Sequence, residues 1–126
     1  MSFNWSDYLT LAQELTSESI NSPIEEAHLR AAISRAYYAA FCTARNFLSE
    51  KDGYSPPGGT NVHRDVVDKF EASSDMTRRK VGALLRSLRG IRNIVDYQEA
   101  FYGNKPGRAQ GALATAKQII ALLRTI

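Results

Sequence analysis

The sequence has few cysteines and histidines, and it lacks any long apolar run. Its 126 residues include one cysteine, Cys42, so the chain forms no internal disulfide and no cysteine-rich zinc site. No stretch approaches the roughly 18 apolar residues that a membrane-spanning helix needs. The segment from Met1 to Asp7 lacks the layout of a secretory signal. Together with the length, these absences predict one domain over residues 1–126, in the cytoplasm and away from membranes.

Familiar enzyme motifs are absent as well. The two histidines, His28 and His63, belong to no HExxH or Glu-x-x-His pair, so we predict no metal site. No G-x-x-x-x-G-K-[ST] loop is present to bind a nucleotide phosphate, and the Gly58-Gly59 pair is typical of a turn. Cys42 lies in an apolar helical run, which is typical of a buried structural thiol. The sequence therefore predicts no cofactor.

Charge is distributed unevenly along the chain. The net charge is +3, but residues 1–61 carry 4 Lys or Arg against 7 Asp or Glu, whereas residues 62–126 carry 12 against 6. A basic half can bind an anionic partner such as nucleic acid. Long helices also carry solvated Arg and Lys without any partner, so the charge alone leaves both interpretations open.

Apolar residues recur at steps of three and four throughout, and no segment alternates as a β-strand does. Because short or Gly/Pro-rich links favour antiparallel neighbours, we expect an all-α fold, an antiparallel up-and-down four-helix bundle with one additional short helix. The predicted helices run from about Trp5 to Thr16, Pro23 to Ser49, Asn61 to Ala72, Met76 to Phe101 and Arg108 to Thr125.

The second predicted helix is apolar on most of its faces, which indicates a central helix packed against several neighbours. Ser22 followed by Pro23 and Glu25 has the spacing of a capping box, so we expect the helix to begin there. Thr60 is the expected cap of the short third helix. In the fourth helix, the predicted apolar stripe extends to Tyr102.

Polar and aromatic side chains alternate midway along the central helix. Ser34, Arg35 and Tyr38 are candidate ligand-binding residues, because a buried polar group must find a partner. The alternative is structural: Tyr37 and Tyr38 pack in the core with hydrogen-bonded hydroxyls, and the Arg35 guanidinium reaches the surface.

A second polar cluster lies on the fourth helix. Arg89, Arg92 and Asp96 share one side of the predicted helix beside the apolar stripe, and Arg92 and Asp96 are spaced to form an i,i+4 pair. A partly desolvated guanidinium binds phosphate or carboxylate strongly, so Arg89, Arg92, Asn93, Asp96 and Tyr97 are candidate ligand-binding residues. The alternative is an Arg–Asp pair that only fixes the helix against its neighbour.

These two segments resemble those of HEPN-domain proteins. The resemblance rests on S-R-A-Y-Y-A-A-F-C-T-A-R at residues 34–45, on L-R-x-x-R-N-x-x-D-Y at residues 88–97, and on the helix order around them. It implies an antiparallel helical bundle, usually dimeric and often encoded beside a minimal nucleotidyltransferase as a toxin–antitoxin pair. Many members are RNA-cutting toxins, and others are non-catalytic partners.

The chain departs from the ribonuclease members at one position. Those members resemble one another in an Arg followed, after four to six residues, by His. Counting from Arg92, these places hold Tyr97, Gln98 and Glu99, and counting from Arg89 they hold no histidine either. Neither Asp nor Tyr replaces a histidine that moves protons near neutral pH. The R-N start and D-Y ending resemble a subgroup without that histidine.

Two main functional hypotheses follow. The first is a binding or regulatory module that uses Arg89, Arg92 and Asp96 on a nucleotide, an RNA or a partner protein; Arg would hold phosphate, Asn93 would hydrogen-bond and Tyr97 would stack. The second is a metal-independent ribonuclease toxin with a rearranged site. Its candidate catalytic residues are Arg92, Asp96, Tyr97 and His63.

A third hypothesis is a purely structural assembly bundle. We also expect a homodimer, because the family resemblance is joined by a surplus of aromatic residues near Tyr97, Phe101 and Tyr102. The expected partners are a second copy of the chain, a nucleotidyltransferase, and an RNA or nucleotide.

Overall fold

A computed structural model describes residues 3–59 and 61–126, and within these ranges the structure has five helices and no strand. The all-α prediction is therefore confirmed for this part of the chain. The helices are α1 (Asp7–Ser19), α2 (Glu25–Asp52), α3 (Val62–Glu71), α4 (Met76–Tyr97) and α5 (Lys105–Leu123). No helix among the described residues has the length and apolarity to cross a bilayer.

Helix α2 is the centre of the molecule. It packs against all four other helices, and its buried side chains point in most directions around its axis. Ala32, Ala36 and Ala40 are fully buried and bring neighbouring helices close, while Tyr37 and Phe41 fill the space between them. This confirms the predicted central helix. The up-and-down order of the four long helices stays a prediction.

The ends of α2 differ from the prediction. The helix begins at Glu25 rather than Pro23, and its N-cap is Ile24. The Ser22 hydroxyl oxygen accepts a hydrogen bond from the Ile24 backbone N–H at 3.2 Å, so Ser22 stabilises a turn before the helix instead of capping it. At the other end α2 continues past Ser49 to Asp52, where Gly53, with φ of +67°, ends it in the left-handed conformation.

Helix α3 is short and docks by its apolar side. Val66, Val67 and Phe70 are buried, as predicted. The Asn61 side chain accepts a hydrogen bond from the Arg64 backbone N–H and caps the helix. The predicted cap, Thr60, lies outside the described residues.

Helix α4 ends four residues earlier than predicted. The last turn is held by Arg30 of α2, which donates hydrogen bonds to the backbone oxygens of Val95 at 3.0 Å, Gln98 at 2.7 Å and Glu99 at 2.6 Å. A guanidinium satisfies carbonyls that a longer helix would have bonded internally. The chain then leaves the helix, buries Phe101 and exposes Tyr102, so the predicted apolar stripe to Tyr102 is wrong.

Helix α5 begins earlier than predicted, at Lys105 instead of Arg108. The Asn104 side chain caps it by accepting a hydrogen bond from the Gly107 backbone N–H at 3.1 Å, with a proline in the first turn. Its buried face contains the apolar residues that the spacing predicted, and it packs mainly on α2 and α4. Cys42 is also buried, as expected, and burial raises the pKa of its thiol.

Candidate functional site

The Arg92 guanidinium is the centre of a buried polar network. Its Nε donates a hydrogen bond to Asp96 Oδ2 at 2.9 Å and its Nη1 donates to Asn93 Oδ1 at 3.1 Å. Its Nη2 donates to the hydroxyl oxygens of Tyr38 and Tyr97. Four of the five guanidinium N–H groups therefore have a hydrogen-bond partner. Only 7% of Arg92 is exposed, so these hydrogen bonds lie away from bulk water. The predicted i,i+4 pair with Asp96 is present.

Aromatic rings surround the same guanidinium. Its central carbon lies 5.4 Å from the ring centroid of Tyr37, 5.1 Å from that of Tyr38 and 5.3 Å from that of Tyr97. Each distance is in the range of a cation–π contact. Arg92 is therefore held in one orientation, with its positive charge partly balanced by one carboxylate and by three ring faces.

Ser34 connects the two predicted clusters. Its hydroxyl donates a hydrogen bond to Asp96 Oδ2 at 3.1 Å, the same oxygen that accepts from Arg92. Ser34 is buried on α2, whereas 26% of the Asp96 side chain is exposed at the end of α4. The central helix thus fixes the carboxylate that orients Arg92.

Helix α3 brings His63 against the aromatic residues of α2. Its Nδ1 lies 2.6 Å from the Tyr37 hydroxyl oxygen, which is hydrogen-bonding distance. The imidazole stacks on Phe41 with 4.3 Å between ring centroids, and it meets the edge of Tyr38 at 5.9 Å. The histidine predicted from sequence as a remote candidate is therefore a neighbour of the Arg92 network through Tyr37 and Tyr38.

His63 is uncharged at neutral pH. Burial and the positive charges of Arg92, Arg89 and Arg45 lower its pKa to about 4. Burial also raises the pKa of Tyr37, so the phenol keeps its proton. The His63–Tyr37 hydrogen bond consequently joins two neutral groups within a positively charged region.

Three arginines near this network have no acidic partner. Within residues 3–59 and 61–126, no carboxylate oxygen is within salt-bridge distance of Arg35, Arg45 or Arg89. Arg35 makes one long hydrogen bond, to Ser34 Oγ at 3.4 Å, and Arg45 bonds the Asn46 side chain at 3.3 Å. The buried Nε of Arg89 has no hydrogen-bond partner in the described part of the chain.

Two other arginines of α4 do have acidic partners. Arg78, at the start of α4, pairs with Asp52 at 2.7 Å, and Arg86, one turn before Arg89, pairs with Glu71 at 2.5 Å. The part of the helix that faces His63 carries Arg89 and Arg92 with Asp96 as the one carboxylate paired to them among the described residues. An excess of buried or half-buried guanidinium groups is the arrangement that binds phosphate or carboxylate.

The structure thus gathers the residues that the sequence singled out. Six of them form the Arg92 network, and His63 and Arg89 adjoin it; Arg35 lies against Tyr38. The six residues of the network are Ser34, Tyr38, Arg92, Asn93, Asp96 and Tyr97. Tyr97 is 73% exposed, so its ring is available to a ligand while its hydroxyl bonds Arg92.

Sequence reasoning missed the roles of Tyr37 and Arg45. Tyr37 contacts both His63 and Arg92, and Arg45 adds to the positive charge around His63. The sequence did indicate the position of Arg45, because its spacing of four residues from Phe41 places both on one side of the helix. The signal for Tyr37 was weaker, because a buried tyrosine in a central helix is usually a packing residue.

A family model for the HEPN domain matches residues 7–126, which includes every residue of the cluster described above. No curated protein and no solved structure matches the chain.

Proposed function

Because the chain belongs to the HEPN domain family, we propose that it is a helical module that binds the phosphate group of an RNA or a nucleotide at the Arg92 network. The family match supports a helical module of a kind often found in toxin–antitoxin or RNA-related roles. The observation that carries the proposal is the buried, unpartnered Nε of Arg89 beside a network in which Arg92 is already satisfied.

Arg89 supplies the unsatisfied donor in this proposal. A buried donor without a partner costs about 1 to 3 kcal/mol, and a bound anion would recover that cost. The neighbouring charges of Arg92 and Arg45 attract the same anion, and Asp96 is the one carboxylate in the network. A phosphate bound there would form charge-assisted hydrogen bonds with these guanidinium groups.

The other residues of the network orient the ligand. Arg92 retains one N–H group, on Nη1, that is not used in the network, and Asn93 offers its amide beside it. The exposed ring of Tyr97 provides a face on which a base can stack. Asp96 and Ser34 hold the guanidinium in place and do not themselves contact phosphate.

The proposal is tested by equilibrium binding of a 5′-phosphorylated oligouridylate to the whole chain, measured by calorimetry at two salt concentrations. Arg89→Gln is expected to weaken binding about tenfold or more, and to reduce the salt dependence because one phosphate contact is lost. Lys117→Gln removes the same charge from an exposed position on α5 and is the matched control. Equal effects of the two substitutions would contradict a specific site.

A second candidate function, RNA cleavage, is favoured by the position of His63. The positive charges of Arg92, Arg89 and Arg45 act on the imidazole and would stabilise a pentacovalent phosphate, and the neutral ring is able to accept a proton. A pKa of about 4, however, makes it a weak base at pH 7. We therefore expect no cleavage of RNA by the intact protein; degradation that His63→Ala abolishes would establish the ribonuclease instead.

The remaining proposals rest on family membership. HEPN domains commonly dimerise, and we propose a homodimer of single-domain chains in the cytoplasm, partnered by a nucleotidyltransferase in a toxin–antitoxin type of system. A nucleotidyltransferase that is encoded beside this chain and co-purifies with it would support that partner. If neither RNA nor nucleotide shifts the melting temperature, the structural assembly role is favoured.

A further inference from the structure

Arg35 is an immobilised cation that has no counter-ion within residues 3–59 and 61–126. Its guanidinium carbon lies 4.9 Å from the ring centroid of Tyr8 on α1 and 5.1 Å from that of Tyr38 on α2. Its one hydrogen bond to another side chain among the described residues is the long contact with Ser34 Oγ. Two aromatic contacts fix the orientation of the group, so binding an anion there requires little further ordering of the side chain.

Arg35 is close to the proposed phosphate site but separate from it. The guanidinium carbons of Arg35 and Arg92 each lie 5.1 Å from the Tyr38 ring centroid, so they are at most about 10 Å apart. Arg92 is held by four hydrogen bonds and Arg35 by two rings. Neither group is free to swing onto the phosphate that the other holds.

Further cationic charge continues along α2. Arg45 is ten residues beyond Arg35, which corresponds to a rise of about 15 Å along a helix. Its guanidinium carbon lies 5.6 Å from the Trp5 ring centroid, and its charge acts on His63. Arg35 and Arg45, which have no acidic partner among the described residues, are therefore spread along the central helix.

We infer that Arg35, held between Tyr8 and Tyr38, is a second phosphate subsite, so that the ligand is an extended strand with at least two phosphates. The first phosphate binds at Arg89 and Arg92, and the next one along the strand binds at Arg35. This inference rests on the proposed function and names the ligand more narrowly, as an oligonucleotide instead of a mononucleotide.

The test compares ligands of increasing length on the whole chain. The probes are 5′-phosphorylated 2′-O-methyl oligouridylates of one, two and four nucleotides, which resist cleavage, and the readout is the dissociation constant by calorimetry at several salt concentrations. In the unmodified chain we expect affinity to rise at least tenfold from one nucleotide to four. Arg35→Gln is expected to reduce that gain to twofold or less and to lower the salt slope by about 0.7.

Control substitutions separate this inference from the proposed function. Lys117→Gln should keep the length-dependent gain, and Tyr8→Leu, which removes one of the two rings but keeps the charge, should reduce it. Arg89→Gln should weaken binding of every length and keep the gain. A full gain in Arg35→Gln would overturn the second subsite alone, and no effect of Arg89→Gln would overturn the phosphate site.

Two further outcomes are decisive. If no probe binds to the unmodified chain, both the phosphate site and the second subsite are wrong. If ATP binds as tightly as the tetranucleotide and Arg35→Gln weakens ATP equally, the ligand is a single polyphosphate nucleotide and the extended strand is overturned.

Discussion

At the scale of single residues, the cluster contains two arginines that differ in hydrogen bonding: the Arg92 guanidinium has partners for most of its N–H groups, and the Arg89 guanidinium has a buried N–H without one in the described part of the chain. Arg92 donates to Asp96, Asn93, Tyr38 and Tyr97, whereas the buried Nε of Arg89 has no partner among the described residues. A satisfied network stabilises the fold, but an unsatisfied buried donor weakens it. Residues that cost stability are common at binding sites, because the ligand recovers the cost.

Arg89→Met is therefore expected to stabilise the free protein. The methionine keeps much of the apolar stem, removes the unpartnered Nε, and relieves repulsion from Arg92, so the free energy of unfolding should rise by about 1 kcal/mol. Urea denaturation measures this change. Arg86→Met, at an exposed position paired with Glu71, is the control and should leave the denaturation midpoint nearly unchanged, because an exposed ion pair contributes little to stability. A clear loss of stability in Arg89→Met would mean that Arg89 supports the fold.

His63 makes the stability of the chain depend on pH in a defined window. Its pKa is about 4 in the folded chain, against about 6.5 when unfolded, so the unfolded chain binds more protons between these values. The free energy of unfolding should fall as the pH falls from about 6.5 to about 4. After allowing for solvent screening of the half-buried ring, we expect a loss of about 1 to 2 kcal/mol from this group.

The His63→Gln variant isolates that contribution. Glutamine can still hydrogen-bond the Tyr37 hydroxyl but does not titrate, so its stability profile should be flatter over the same window. Denaturation midpoints measured from pH 7 to pH 4 give both profiles. Parallel profiles would show that His63 has an ordinary pKa in the folded chain.

At the scale of helices, the contact between α3 and α4 sets the position of His63. A Cβ at Gly82 of α4 would lie 2.6 Å from Glu71 Cγ and 2.9 Å from the Glu71 backbone nitrogen. Such distances require the end of α3 to move. Glycine thus permits the close approach that holds α3, and with it His63, against the central helix.

Gly82→Ala is expected to destabilise the chain even though alanine is the better helix former. The displaced backbone should cost about 1 to 3 kcal/mol of unfolding free energy, more than the gain of up to about 1 kcal/mol in helix propensity. Gly90→Ala on the same helix is the control, because nothing lies within 4 Å of the added Cβ, and it should stabilise the chain by about 0.5 to 1 kcal/mol. The opposite order of stabilities by urea denaturation would contradict the close packing.

The helices were predictable from spacing, but some of their ends were not. The apolar pattern of α2 identified a central helix because the local sequence places apolar residues on most faces of that helix. The end of α4 at Tyr97 depends instead on Arg30, which is more than 60 residues away in the chain. A local pattern cannot contain such a contact, and the predicted helix therefore continued to Phe101.

Some contacts of the candidate site were likewise predictable from the sequence, and others were not. The Arg92–Asp96 pair was predictable, because residues four apart meet on one side of a helix. The contact of His63 with Tyr37 was not, because it requires α3 to dock on α2. The missing acidic partners of Arg89 and Arg45 were equally hidden, since a sequence with 13 acidic residues does not indicate which arginines they reach.

At the scale of the whole molecule, excess positive charge and exposed aromatic rings lie near one another at the end of α4. Tyr97 is 73% exposed there, and Tyr102, beyond the helix, is 79% exposed. Phe101, which the sequence offered as part of an aromatic surplus, is instead buried beneath the guanidinium groups of Arg30 and Arg108. Because the Tyr97 ring is assigned to the ligand, Tyr102 is the part of that surplus that remains available for contact between subunits.

We expect the chain to form a dimer that uses the surface around Tyr102, because HEPN domains commonly dimerise and an exposed tyrosine favours protein contacts. Sedimentation equilibrium at micromolar concentration should give twice the chain mass of 14.0 kDa. Tyr102→Glu should shift the population toward the monomer, since a carboxylate in a subunit contact loses hydration. Met76→Glu, at a comparably exposed residue that begins α4, should leave the dimer intact. A particle of 14.0 kDa in the unmodified protein would contradict dimerisation, whereas a dimer unaffected by Tyr102→Glu would locate the contact elsewhere on the molecule.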